Sequence, residues 1–213
     1  MTGFDERARD WDSDPAKVER AQIVAEAMRA RAIPNTGMKA LEYGCGTGLL
    51  SFALQRDFAA ISLADSSQGM LDVLAGKIKT AGQDNMHPLM LDLASQPVPQ
   101  ERFDIIYSLM TMHHIPQTET ILQKFYTLLN AGGVLCITDL EEEDGSFHGQ
   151  TVTNVHKGFA RPRLQKQVEA AGFDGVHFSS VFVVKKHVNG HETSFPLFLM
   201  VAQKNDMWNN PGN

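Results

Sequence analysis

Cysteine is scarce in this chain, with only Cys45 and Cys136 among 213 residues. A small secreted domain stapled by disulfides carries several cysteines at framework spacing, so this composition argues against that class. No stretch approaches the roughly 18 consecutive apolar residues that a membrane-spanning helix needs. The segment from Met1 to Trp11 is charged and has no apolar core, which excludes a secretory signal peptide. We therefore expect a cytoplasmic protein with no membrane span.

Basic residues are also in the minority, because 19 Lys and Arg face 25 Asp and Glu, for a formal net charge of −6. A broad nucleic-acid surface needs a basic face, so we expect no nucleic-acid partner. The acidic run 141–144 is not accompanied by a familiar metal-ligand pattern either. His148 and His156 lie near the acidic run 141–144, but neither His-x-x-x-His nor Cys-x-x-Cys spacing accompanies them. The sequence therefore predicts no metal site.

What the sequence does contain is a regular alternation of strand and helix patterns, which indicates βαβ units and a mostly parallel sheet. The predicted strands are 38–43, 59–64, 86–90, 103–108 and 134–138. The predicted helices are 15–31, 49–56, 68–80, 117–129 and 161–171. Two further strands, 176–184 and 195–201, are joined by a loop over 185–194 and should pair antiparallel, since no helix fits between them.

The chain length favours a single domain over 1–213, with 1–33 as an N-terminal arm and helix. The arm is acidic and polar and carries two aromatic residues, Phe4 and Trp11. Pro15 follows Asp14, which is a good capping residue, so the first long helix should begin there.

Three glycines at alternate positions follow the first predicted strand directly: Gly44, Gly46 and Gly48. In an open parallel sheet, ligands bind at the carboxyl ends of the strands near the point where the strand order reverses. A glycine there lets the backbone approach a ligand closely, and the next helix offers free N–H groups. The run therefore favours a nucleotide-like cofactor over an ordinary tight turn.

The glycine spacing and the acidic residues near it help to distinguish between cofactor classes. A dinucleotide loop has the pattern Gly-x-Gly-x-x-Gly, whereas here the third glycine comes one residue early. Glu42, two residues before Gly44, suits a cationic ammonium or sulfonium group better than a pyrophosphate. Asp65, at the end of the second strand, can accept from a ribose diol or cap the following helix. Asp92, after the third strand, can accept from an adenine amino group or be a solvated loop carboxylate.

These residues in this order resemble the class I S-adenosylmethionine-dependent methyltransferases. The segments that carry the resemblance are 41–48, Asp65, 91–93, 103–106 and 128–133. Ala131 stands where the family usually has proline. The resemblance implies an α/β Rossmann-like three-layer sandwich with a seven-stranded sheet of order 3-2-1-4-5-7-6, strand 7 being antiparallel. Segments 8–12 and 110–115 are similar to the small-molecule, ubiquinone-biosynthesis-like branch, in which the arm often folds over the cofactor.

The resemblance carries cofactor residues across well and substrate identity badly, because one fold hosts many acceptors. The expected cofactor-binding residues are Trp11, Glu42, Gly44, Cys45, Gly46, Asp65, Ser66, Met70, Asp92, Leu93, Ser108 and Leu109.

Histidines are the natural candidates for a general base near neutral pH. His113 and His114 follow the fourth strand, whose end should face the methyl group. We take His113 as the catalytic candidate and His114, His148 and His156 as candidates on the acceptor side. His148 and His156 lie in a long segment, 141–161, that we expect to form a lid over the acceptor.

The function that follows is transfer of a methyl group from S-adenosylmethionine to an unidentified acceptor, most simply a small molecule, by a monomer or homodimer. Two alternatives stay open at this point. One is a non-catalytic protein that binds S-adenosylmethionine, and the other is an NAD-dependent Rossmann dehydrogenase, against which the glycine spacing and the terminal hairpin count.

Overall fold

The structure is a computed structural model that describes residues 3–148 and 155–205. Its helices are α1 Gly3–Arg7, α2 Pro15–Ala32, α3 Leu49–Leu54, α4 Gln68–Ala81, α5 Thr118–Leu128 and α6 Arg161–Ala170. Its strands are β1 Lys39–Tyr43, β2 Ala60–Asp65, β3 Met86–Met90, β4 Phe103–Leu109, β5 Leu129–Leu140, β6 Phe173–Val188 and β7 His191–Lys204. Two short 3₁₀ helices, Ala8–Ser13 and Met112–His114, complete the elements.

The seven strands form one sheet in the order β3-β2-β1-β4-β5-β7-β6, as the resemblance implied. Strands β1 to β5 pair in parallel, while β7 runs antiparallel to both β5 and β6. The chain proceeds outward from β1 through β2 to β3 and then returns to the other side of β1 as β4. The strand order therefore reverses between β1 and β4, and the carboxyl ends of these two strands border the crevice where such sheets bind ligands.

Helices cover both faces of the sheet and bury two separate apolar layers. One layer joins α5 and α6 to the sheet through residues such as Phe125, Leu164 and Phe198. The other joins α2, α3 and α4 to the opposite face through residues such as Val24, Leu54 and Leu74. Within the described ranges, no helix has the length and apolar character needed to cross a bilayer.

The start of α2 is confirmed at Pro15. The side chain of Asp14 accepts from the amide of Ala16 at 3.0 Å, and proline occupies the first helical turn, where its missing N–H costs no hydrogen bond. The preceding arm is more ordered than an extended lid, since it forms α1 and the first 3₁₀ helix.

The terminal hairpin differs from the sequence prediction, which left 185–194 as a loop. The two strands continue through most of that segment and leave Asn189 and Gly190 as the turn. Both residues have positive φ, 51° and 83°, as a two-residue hairpin turn requires. The added strand residues are polar and mostly exposed, so they lack the apolar alternation by which a strand is recognised in a sequence.

A buried polar network lies directly behind the first strand's carboxyl end. Glu42 is 2% exposed, and its carboxylate accepts from the hydroxyl of Ser51 in α3. The Ser51 hydroxyl also lies 2.7 Å from the hydroxyl of Tyr107 in β4. Burial raises the pKa of Glu42 to about 8, since desolvation outweighs the Ser51 hydrogen bond that lowers it. This network ties β1, α3 and β4 together beneath the glycine loop.

The raised pKa of Glu42 predicts a pH-dependent cost to stability. The unfolded chain ionises this carboxyl near its ordinary pKa of 4.5, while the folded protein keeps it protonated up to about 8. The free energy of unfolding should therefore fall as pH rises through this window, by up to about 1.4 kcal/mol per pH unit. Glu42→Gln keeps an acceptor for Ser51 and removes the titration. We expect this variant to gain stability over the unmodified protein between about pH 5 and pH 8, by a few kcal/mol.

Urea denaturation at several pH values measures this gain. The exposed Glu101 provides the matched control, since Glu101→Gln should leave the pH dependence as it is. A Glu42→Gln variant whose stability difference stays flat across the window would contradict the prediction.

Candidate active site

The glycine loop turns sharply at the end of β1 and is fastened to the end of β2. The amides of Gly44 and Cys45 both donate to the carbonyl of Ala64, at 2.8 and 3.0 Å. Gly44 has a φ of 73°, and a Cβ there would clash with the side chain of Thr111. A Cβ on Gly46, by contrast, would meet nothing closer than 3.9 Å. Gly44 is therefore required by packing, while at Gly46 a Cβ would fit in ordinary van der Waals contact with Met70 and Trp11.

Asp65, at the end of β2, positions this loop. Its carboxylate accepts from the amide of Gly46 at 2.7 Å and from the amide of Ser67 at 2.8 Å. Ser67, and not Asp65, caps α4, because its hydroxyl accepts from the amide of Met70. Burial raises the pKa of Asp65 against the lowering effect of these amide bonds. The carboxylate therefore lies beside the Gly46 backbone, where the sequence predicts that it meets a ribose.

The N-terminal arm packs over the loop. The Nε1 of Trp11 and the sulfur of Met70 both lie 3.9 Å from the position of a Cβ on Gly46. Asp12 accepts from Lys77 at 2.5 Å, and Asp5 accepts from the amide of Gly69 at 3.0 Å at the N-terminus of α4. The arm therefore covers the crevice through contacts with the loop and with α4.

Phe4 links the loop to the histidines. Its ring centroid lies 6.0 Å from that of Trp11 and 5.3 Å from that of His114. Phe4 thus contacts both Trp11, which lies beside the glycine loop, and His114, which follows β4.

The other predicted cofactor residues are placed as follows. Asp92 closes a local turn, because its carboxylate accepts from the amide of Ala94 at 2.9 Å and the hydroxyl of Ser95 at 2.7 Å. Leu93 is fully buried, and its amide donates to the hydroxyl of Tyr43. Ser66 is exposed. Glu42 accepts from Ser51, as described above, and its predicted contact with a cationic group of the cofactor stays a prediction.

Cys45 and the end of β4 complete this set. Cys45 is buried, and burial raises the pKa of its thiol well above the usual range. The Ser108 hydroxyl is buried and has no hydrogen-bond partner among the described residues. Leu109 ends β4, and Met110 after it has a φ of 56°, a costly conformation for a non-glycine residue. Such strain is often found at functional sites.

His113 is deeply buried beside Asp139 of β5. It is 1% exposed, and its Nδ1 lies 2.6 Å from the Asp139 carboxylate, which is itself fully buried. The amides of His113 and Leu140 also donate to this carboxylate, at 3.2 and 2.7 Å. An imidazole that donates from Nδ1 presents a lone pair at Nε2, and this Nε2 has no partner within the described ranges.

His114 and His148 lie against His113. The ring centroid of His113 is 4.1 Å from that of His114 and 4.9 Å from that of His148. Burial, with the neighbouring His113 and His148, lowers the pKa of His114 to about 3. Burial, with His113 and Lys186, lowers the pKa of His148 to about 4. Both rings are therefore neutral at physiological pH.

His156, the remaining histidine candidate, lies apart from these three rings. Its Nε2 is 2.9 Å from the carbonyl of Ile115 and 3.2 Å from the hydroxyl of Thr118, and its amide donates to the carbonyl of His113. This ring fastens the 141–161 segment to the turn after β4. The middle of the predicted lid, 149–154, lies outside the described residues.

The described part of the 141–161 segment is supported by the terminal hairpin. Phe147 packs on Phe195 with a centroid distance of 5.1 Å and lies 6.3 Å from the ring of His113. Lys186 of β6 donates to the carbonyl of Phe147 at 2.5 Å and lies over its ring. The hairpin thus holds an aromatic wall next to the histidines.

Sequence reasoning missed two residues of this crevice. Asp139 had a usable signal, because it is an acidic residue at the carboxyl end of a strand beside β4. Arg20 of α2 had none, since an arginine on a surface helix is usually solvated. Its side chain is instead partly buried, and desolvation lowers its pKa against the raising effect of the negative charges of Asp14 and Asp139. Its Nε is buried without a partner in the part of the chain that the structure describes.

These features fit S-adenosylmethionine. The uncrowded backbone at Gly46 accommodates a close approach, the Asp65 carboxylate suits a diol, and the orphaned Nε of Arg20 suits a carboxylate. The aromatic residues Phe4 and Trp11 of the arm pack on each other beside the loop.

Comparisons with known proteins agree with this geometry. Residues 40–133 match a family described as "Methyltransferase domain". The chain is 27% identical over 139 residues to a ubiquinone biosynthesis O-methyltransferase of Coxiella burnetii, an alignment that covers 63% of this chain and 58% of that protein. The chain therefore spans less than two thirds of the length of this curated relative.

Two solved structures share the fold. One is phosphoethanolamine N-methyltransferase 2 of Haemonchus contortus in complex with S-adenosyl-L-methionine, with a TM-score of 0.71 and 14% identity over 97% of this chain and 61% of that chain. The other is the [4+2]-cyclase SpnF, with a TM-score of 0.66 and 16% identity over 86% of this chain and 80% of that chain. The domain matched over 40–133, the similarity to a ubiquinone biosynthesis O-methyltransferase and the shared fold together support the resemblance of this chain to the class I S-adenosylmethionine-dependent methyltransferases.

Proposed function

We propose that this protein transfers a methyl group from S-adenosylmethionine to a hydroxyl group of a small, ring-containing acceptor. The observation that carries the proposal is the position of Phe4 between the two halves of the site. Its ring contacts the ring of Trp11, which lies beside Gly46, and the ring of His114, which packs on His113. The glycine loop and the buried, unpartnered Nε2 of His113 thus lie on either side of one arm residue among the described residues.

The cofactor half of the crevice binds and orients. S-adenosylmethionine, when bound, supplies a methyl group that its sulfonium centre has already activated. Asp65 would accept from the ribose hydroxyls while it holds the Gly46 amide in place. Arg20 would donate to the carboxylate of the cofactor's amino-acid part. Trp11 and Phe4 would exclude water, which would strengthen these polar contacts.

The acceptor half positions a hydroxyl and takes up its proton. Asp139 holds His113 with Nε2 directed away from the carboxylate, so that this nitrogen can accept a proton. Phe147, which packs beside His113, offers an aromatic wall to a ring-bearing acceptor. The similarity to a ubiquinone biosynthesis O-methyltransferase also favours an oxygen acceptor.

The remaining properties belong to the same proposal. The chain would act as a single domain, as a monomer or homodimer, without a nucleic-acid partner, in keeping with its net charge of −6. A cytoplasmic setting is favoured by Cys45 and Cys136, which are buried and unpaired. The fold is shared with a cyclase, so methyl transfer by this chain is decided by turnover and not by fold.

Cofactor binding is tested by calorimetric titration with S-adenosylhomocysteine. We expect binding to the unmodified protein and at least tenfold weaker binding to Asp65→Asn, because loss of one charge-assisted hydrogen bond costs about 1.5–3 kcal/mol. Asp84→Asn, at an exposed position after α4, is the matched control and should bind like the unmodified protein. Absence of binding to the folded, unmodified protein would remove the basis of the proposed function.

The role of Arg20 is separable from that of Asp65. Arg20→Met should weaken the binding of S-adenosylhomocysteine about tenfold or more, since a charged hydrogen bond to its carboxylate is lost. The same variant should bind 5′-methylthioadenosine unchanged, because that molecule lacks the amino-acid part. Arg163→Met, on the exposed face of α6, controls for loss of positive charge. Equal weakening for both ligands would show that Arg20 supports the site only structurally.

Catalysis is tested by turnover of S-adenosylmethionine over a panel of hydroxylated aromatic acceptors, followed by mass spectrometry of the methylated product. His113→Asn should lower kcat on the order of a hundredfold or more, because it removes the proton acceptor. It should leave the affinity for S-adenosylhomocysteine within a few-fold. The exposed His87→Asn serves as control. Cofactor binding without any turnover would instead identify a non-catalytic binding protein.

A further inference from the structure

Three histidine side chains from two separate segments converge on one point in the crevice. His113 and His114 come from the turn after β4, and His148 comes from the segment after β5. Each ring offers a nitrogen, and the three nitrogens all lie within 4.8 Å of one another. Among the described residues, these three form the one group of three or more histidine, cysteine or acidic side chains whose potential metal-ligating atoms lie this close together.

Two of the three rings have a nitrogen with no other use. The Nε2 atoms of His113 and His148 are buried and have no hydrogen-bond partner among the described residues. Leaving a polar atom buried and unpaired costs about 1–3 kcal/mol. His113 is 1% exposed, so bulk water does not reach it to offset that cost. Both orphaned nitrogens belong to the converging rings, which indicates a shared ligand that accepts their lone pairs.

His113 is also oriented in the manner of a metal ligand. Its Nδ1 donates to Asp139 at 2.6 Å, and this carboxylate is held by the amides of His113 and Leu140. Histidines that bind zinc usually donate their other ring nitrogen to a carboxylate or carbonyl, which fixes the ring and raises the basicity of the ligating nitrogen. The pair therefore presents Nε2 of His113 as a fixed electron-pair donor.

The geometry matches a tripod with an open position. Zinc bonds to histidine nitrogens at about 2.0–2.1 Å, which places tetrahedral ligand nitrogens about 3.3 Å apart. The three rings would close on an ion by side-chain movements of roughly 1.5 Å or less, judged from that spacing. Three histidines with a free fourth position are the ligand set of a catalytic zinc site, and imidazole also suits cobalt, nickel and copper.

We propose that His113, His114 and His148 form a binding site for a divalent transition-metal ion, zinc by preference, with Asp139 as the residue that positions His113. The sequence prediction of no metal site rests on short ligand spacings, which cannot reveal a ligand as remote in the chain as His148. Only the return of the segment after β5 brings this histidine to His113 and His114.

The use of this ion rests on the proposed function. Its open position would take the acceptor's hydroxyl oxygen, forming one metal–oxygen bond while the O–H bond breaks and the proton leaves to solvent. No oxidant or reductant is required. With the ion bound, Nε2 of His113 would ligate it instead of accepting the proton, so the ion would replace His113 in activating the hydroxyl and would hold the acceptor as an anion at neutral pH.

Metal binding is measured without any cofactor or acceptor. The purified protein, stripped with a chelator, is titrated with zinc chloride by calorimetry, and the zinc-loaded protein is examined by X-ray absorption. We expect one ion per chain, coordinated by three imidazole nitrogens at about 2.0–2.1 Å. His148→Ala and His114→Ala should each weaken binding at least tenfold, and Asp139→Asn should weaken it about 10–100-fold.

Matched variants separate this site from other histidines on the surface. His87→Ala removes an exposed histidine from β3 and should leave the affinity unchanged. His187 and His191 flank the hairpin turn with His-x-x-x-His spacing, so His191→Ala is the sharper control. Binding that is lost in His191→Ala and kept in His148→Ala would overturn the proposal, as would the absence of zinc binding to the unmodified, folded chain. Circular dichroism establishes that each variant is folded.

The outcome is independent of the test of the proposed function. A chain that binds S-adenosylhomocysteine but not zinc loses the metal site and keeps the methyltransferase assignment. A chain that binds zinc through His148 but not S-adenosylhomocysteine keeps the metal site and loses the proposed reaction.

Discussion

The hydrogen bond from the amide of Gly46 to the carboxylate of Asp65 is the contact on which the crevice depends. It joins the loop after β1 to the end of β2 and so fixes the position of the loop relative to β2. The arm then has a defined surface to cover, with Trp11 above Gly46 and Asp5 at the start of α4. If Asp65 also binds the cofactor, as proposed, this carboxylate couples cofactor binding to the local folding of the loop.

A second buried contact, between Asp139 and His113, organises the other half of the crevice. Its cost in desolvation is offset by two main-chain amides and by the imidazole N–H. Asp139 belongs to β5 and His113 to the turn after β4. Their contact therefore joins the carboxyl ends of two neighbouring strands. The cofactor half and the acceptor half are thus each stabilised by one carboxylate at a strand end.

Much of this architecture is predictable from sequence, because it rests on local rules. Glycines after a strand, acidic residues at strand ends and alternating helix and strand patterns are local signals, so the loop, Asp65 and the mostly parallel sheet could be predicted from them. The order of the strands followed only from the family resemblance. The partner of Glu42 was not, since it depends on how α3 turns Ser51 towards β1.

His148 approaches His113 only because the long segment after β5 folds back onto the turn after β4. The burial of Arg20 depends on how α2 packs. The hairpin strands were cut short because their outer residues are polar on both faces. In each case the missing information is a contact between residues far apart in the chain, which no short window contains.

The long hairpin has a consequence for how this protein can change. The residues that shape the cofactor cradle come from the part of the chain before β5, whereas Lys186 and Phe195 of the hairpin support Phe147 beside the histidines. Substitutions along the outer hairpin would therefore reshape the acceptor wall without disturbing Asp65 or the glycine loop. Under the proposed function, such a division would let new substrate preferences arise by substitutions in β6 and β7 while the cofactor site stays intact.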